Sequence, residues 1–144
     1  MNAATPQVRD FVRHLVAHEM LADPPPATTL PAPCYASEKL RPPLVALMGN
    51  VGFSALLSRA GVLAGAEIPW LGSLQVKTDG SFEGFDELAA QVPTEELFEG
   101  CVVLLAQLLG LLAAFIGEDL TLRLLREVWP KLSLKNFNVS EGGK

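Results

Sequence analysis

The sequence predicts a mainly α fold: a compact bundle of about four to five helices with one small β-hairpin at about 73–85. Three observations carry this. Apolar residues recur at helical spacing near both ends of the chain. The run Cys101–Ile116, "CVVLLAQLLGLLAAFI", holds sixteen residues and one polar side chain, Gln107. Strand-like alternation is confined to one short stretch, so no series of strands could build a larger sheet. At 144 residues the chain reads as a single domain, 1–144, and a chain of this size buries about 68–70% of its unfolded surface.

The first element is an amphipathic helix from Pro6 to Ala22 within an N-terminal segment 1–22. Val8, Phe11, Val12, Leu15 and Leu21 share one side, with Arg9, Asp10, Arg13 and Glu19 mostly elsewhere. Thr5 before Pro6 suits an N-cap followed by proline at the first helical position. Residues 23–36 form a connector with five prolines between Pro24 and Pro33, each fixing φ and removing a donor. The main body, 37–135, opens with Ser37, and Pro42-Pro43 should start its long helix, because proline is poorly tolerated deeper inside one. Ile68-Pro69 should end that helix near Glu67.

Within it, "LVALMGNVGFSALLSRAG" (Leu44–Gly61) permits two readings. Strand, glycine loop and helix would form a phosphate-binding turn. However, no lysine follows Gly52 where a P-loop needs one, and the third glycine of GxGxxG is missing. The alternative is one packed helix, with Gly49 and Gly52 as contact points for a neighbouring backbone. Ser54, Ser58, Gly61 and Gly65 then share a face, and Ala106, Gly110, Ala113 and Gly117 repeat the same four, three, four spacing later. Rows of small residues let helix backbones approach closely. The helical reading is preferred, and these eight residues are its candidate packing surface.

Leu74 and Val76 alternate with Gln75 and Lys77, and Asp79-Gly80 suits a tight turn, hence the expected hairpin. A short helix should span Asp86–Gln91. Pro93-Thr94-Glu95-Glu96 should open the next, with acids at its positive end. After Gly117-Glu118-Asp119 the pattern turns amphipathic, with Leu120, Leu124, Leu125, Val128, Trp129 and Leu132 as its stripe, ending at Pro130. The tail 136–144 shows no pattern.

The charge of -5 and the lack of a basic cluster exclude general nucleic-acid binding; Lys131 and Lys135 are too few. The apolar run 101–116 falls short of the roughly 20 residues that span a bilayer, and acids flank it, so a central core helix is the preferred reading over a membrane segment. Cys34 and Cys101 lie outside any CxxC pair. Cys101 reads as a small core residue and Cys34 as an exposed thiol, and the usage suits a reducing cytosol better than a disulfide. With no apolar leader after Met1, the expected location is cytoplasmic.

His14 and His18, four apart on a helix, could offer two imidazoles to a metal. No third ligand has a sequence address beyond Asp23 and Cys34, so two partly exposed histidines are the simpler reading, and no cofactor is expected. Glu83, Asp86, Glu87, Glu95, Glu96 and Glu99 read as a solvated acidic rim rather than an acid–base pair. Trp70 and Trp129, each beside a proline, read as anchors at helix ends or interface residues. With no catalytic constellation, the expected function is a non-enzymatic interaction or regulatory module that self-associates or docks on a larger protein. The alternative is a binder of a small or lipid-like ligand in a pocket between helices.

Overall fold

The computed structural model describes residues 6–20, 35–73, 75–76, 82–83 and 85–129. They run as α1 (Pro6–Met20), α2 (Tyr35–Glu67), a 3-10 turn (Pro69–Ser73), β1 (Gln75–Val76), β2 (Phe82–Glu83), α3 (Phe85–Ala90), α4 (Thr94–Ile116) and α5 (Glu118–Val128). The mainly helical expectation is met. Thr5, Leu21, Asp23, Cys34, the turn Asp79-Gly80, Leu132 and the tail 136–144 lie outside the described residues, as does nearly all of the 23–36 connector.

α4 is the central element, with α1, α2 and α5 packed on it. Its run from Cys101 to Gly110 is buried without interruption, Gln107 included. A helix apolar on every side can satisfy all its faces only with neighbours all round. Glu95 and Glu96 occupy its first turn, where they meet the positive end of the helix dipole. α1 lays Val8, Phe11, Val12, Leu15 and Val16 into the core, all at most 2% exposed.

α2 departs from expectation in two ways. It begins at Tyr35 and carries Pro42 and Pro43 inside rather than starting at them. Each interior proline costs about 3 kcal/mol of helix propensity. Leu40 and Leu44, on either side of the pair, are fully buried, so tertiary packing carries the helix through. The second departure is a break at Gly49, whose φ of 79° and ψ of 168° lie in a region open essentially to glycine alone. The halves bend toward each other there. The Arg41 guanidinium lies 5.4 Å from the Phe53 ring centroid, although twelve residues of straight helix would separate them by about 18 Å.

The strand–loop–helix alternative at Leu44–Gly61 is absent, since Leu44–Met48 is helical. Yet Gly49 and Gly52 are not contact points for another backbone. Gly49 is exposed with open space where a Cβ would stand, and Gly52 faces only Met48 of its own helix.

The expected hairpin at 73–85 is not supported. Ser73 closes the 3-10 turn and Phe85 opens α3. The described pairing is two residues long on each side, Gln75 opposite Glu83 and Val76 opposite Phe82. The alternation that suggested it covers only Leu74–Lys77, and an isolated two-stranded ribbon of that size is marginal.

α5 buries Thr121 and Leu125 and ends before Trp129, which is 3% exposed. Leu120, expected on the buried stripe, is 37% exposed. The stripe is centred one position later, on Thr121 and Leu125, and Thr121 can be buried because its hydroxyl donates to the Gly117 carbonyl at 2.8 Å. Cys101 is buried, as expected, but it is disulfide-bonded and the chain holds one other cysteine, Cys34. The reading of Cys101 as a small core residue outside any disulfide is corrected, and Cys34 lies outside the described residues.

Candidate association surface and apolar groove

The polar contacts between helices are structural ties. Arg9 of α1 holds Glu67 of α2 with both guanidinium nitrogens, Nη1 donating to Oε1 at 2.9 Å and Nη2 to Oε2. The buried Gln107 of α4 donates to the same carboxylate at 3.2 Å. Glu67 therefore joins three helices. Arg13 pairs with Glu99 at the surface, where such a pair contributes at most about 1 kcal/mol.

His14 and His18 are both exposed on α1, and a ring nitrogen of His14 sits 2.9 Å from the Asp10 carbonyl. Among the described residues no group of three or more His, Cys, Asp or Glu side chains gathers. Of the acidic residues, Glu87, Glu95 and Glu96 are exposed, while Glu99 is taken by Arg13.

The two small-residue rows have different fates. Ala106, Gly110 and Ala113 are buried in the middle of the bundle, and Gly117 is an exposed break between α4 and α5 with φ of 97°. In α2 only Gly65 makes the close approach expected of the row. A Cβ there would come within 2.9 Å of the Gly72 Cα, so its partner is the 3-10 turn rather than another helix. Ser54 is half-buried and bonds the Val51 carbonyl at 3.1 Å, Ser58 is exposed, and Gly61 faces open space.

The closest approach falls where the spacing gave no sign of it. A Cβ on Gly100 would lie 2.4 Å from Cζ2 of Trp70. Trp70 is half-buried against α4 and Trp129 is buried at the end of α5, so both close helix ends.

α2 is the unusual element. By length and composition alone, Lys39–Glu67 and Glu95–Ile116 could each cross a membrane. The second is the bundle's centre, 72% buried over its most apolar window, whereas the corresponding window of α2 is 17% buried. Val51, Ala55, Ser58, Val62 and Ala66 all face outward at helical spacing. Val51 is 79% and Val62 68% exposed.

Beside this face, α2 and the end of α4 enclose an apolar groove of about 400 Å³, lined by Met48, Gly52, Ala55, Leu56, Arg59 and Phe115. Its shape depends on Gly52, which has no side chain to fill it, and on Phe115, which stands out from α4. No protein-family model matches the chain, and no curated protein or solved structure shows significant similarity to it.

Proposed function

We propose that the chain is a non-enzymatic helical module that self-associates through the outward face of α2. One observation carries this reading: a long, apolar helix whose exposed stripe, Val51, Ala55, Ser58 and Val62, leaves its two valines largely in water. A contiguous apolar face of this kind marks an association site. The stripe sets two small side chains, Ala55 and Ser58, between two valines at helical spacing, so a valine of one copy can seat over the small residues of the other about a two-fold axis.

A second copy fits the face better than a bilayer does. The chain carries a net charge of -5, which anionic lipid repels. Spanning would also place the Arg59 guanidinium within the hydrocarbon region, at a cost that snorkelling only partly relieves. The ties at Glu67, which join three helices, suit a rigid scaffold. The disulfide at Cys101 favours an oxidising compartment over the cytoplasm that the cysteine spacing suggested.

Sedimentation across a range of protein concentrations tests the proposal. A two-fold interface contains each substitution twice, and burying a valine contributes about 1.5–3 kcal/mol. Val62→Glu should therefore weaken association at least about 100-fold with unchanged helix content. A wild-type chain that sediments as a monomer at every concentration would end the proposal.

A further inference from the structure

We propose that the groove between α2 and the end of α4 binds a single-chain amphiphile with an anionic head, of the class of a medium-chain fatty acid. Its volume of about 400 Å³ falls in the range of small-ligand sites, about 300–1,000 Å³. Met48, Ala55, Leu56 and Phe115 supply alkyl and aromatic walls, and the bare backbone of Gly52 lies between them.

One of the six lining residues is ionisable. Arg59 is exposed, and no described carboxylate pairs with it. Arg9 and Arg13, by contrast, are each held by a glutamate. An apolar trough bordered by a cation that no described acid neutralises complements a ligand with an apolar tail and a carboxylate head. A guanidinium matches a carboxylate through paired hydrogen bonds. A neutral hydrocarbon would leave Arg59 unused, and a polar metabolite would leave the walls unused. The inference does not rest on self-association: a monomer that binds the ligand upholds it equally.

The test is calorimetric titration of the full chain with dodecanoate and decanoate below their micellar concentrations and with dodecanol below its solubility limit. Dodecanoate should bind saturably, one per chain. Each methylene contributes about a fourfold gain in affinity, so decanoate should bind about fifteenfold more weakly. Arg59→Gln should weaken dodecanoate about two- to fivefold, the range of a solvent-exposed ion pair, and leave dodecanol unchanged. Phe115→Asp, at an exposed position of α4 outside the α2 stripe, should remove the aromatic wall of the groove and set a carboxylate beside the ligand's own, abolishing binding with circular dichroism unchanged. Non-saturating uptake, or Phe115→Asp binding as tightly as the wild type, would overturn the inference. So would adsorption to anionic phosphatidylglycerol vesicles with no binding of dodecanoate.

Discussion

Replacing Gly100 by alanine should destabilise the protein even though alanine is the better helix former. Taken alone, the exchange in a helix interior is worth up to about 1 kcal/mol in favour of alanine. Against this, the new Cβ would stand 2.4 Å from Cζ2, 3.1 Å from Cη2 and 3.2 Å from Cε2 of Trp70. These are atoms of a rigid ring, so no flexible side-chain end can swing aside. The ring must retreat by about 1 Å to reach ordinary contact, and such overpacking costs about 1–3 kcal/mol. Gly61→Ala is the internal control, because it makes the same chemical change in helix with nothing within 4 Å of the new atom. It should stabilise by up to about 1 kcal/mol. The two variants should therefore differ by about 1–3 kcal/mol, the contribution of the ring. Urea unfolding followed by far-ultraviolet circular dichroism, at one fixed protein concentration, measures both. Trp70→Phe removes the offending ring edge, so the double variant should recover part of the loss, with a coupling of about 0.5–3 kcal/mol. Equal midpoints for Gly100→Ala and Gly61→Ala would refute the packing argument.

Three further outcomes are expected. Gly65→Ala should cost about 1–3 kcal/mol, because its Cβ would meet the Gly72 backbone at 2.9 Å, whereas Gly72→Ala meets Gly65 only at ordinary contact, 3.9 Å; paired urea melts distinguish them. Gly49→Ala should cost about 1–3 kcal/mol despite open space around it, since its φ of 79° strains any residue with a Cβ; thermal unfolding reads the loss. The unfolded, unreduced protein should show no reactive thiol with a chromogenic disulfide reagent and two after reduction, since the chain has two cysteines and Cys101 is disulfide-bonded.

Much of the fold is legible in the letters, for physical reasons that differ by element. α1 announces itself because one face is buried and the other wet, so its apolar residues recur with the helical period. α4 is legible through the opposite signal, the near absence of polar side chains over sixteen positions. α2 is where the reading fails in detail. Its apolar residues are spread around the axis, and a helix without a polar face carries no record of which side meets the core. The row Ser54–Gly65 therefore looks equivalent to Ala106–Gly117, although the first is partly outside and the second mostly inside. Gly49 is equally silent, because its break depends on a backbone angle and not on a spacing. Gly100 escapes notice since its partner, Trp70, lies thirty positions earlier and meets it only through tertiary packing. The groove has the same character: five of its lining residues fall within Met48–Arg59, but Phe115 arrives from another helix.

Contact between the outward faces of α2 in two copies can be trapped by placing a photoreactive benzoylphenylalanine at position 62 and irradiating the purified protein. Position 62 should give an efficient covalent dimer. The same probe at Arg123, exposed on α5, should give almost none. Equal yields from the two positions, or no dimer from position 62, would contradict it.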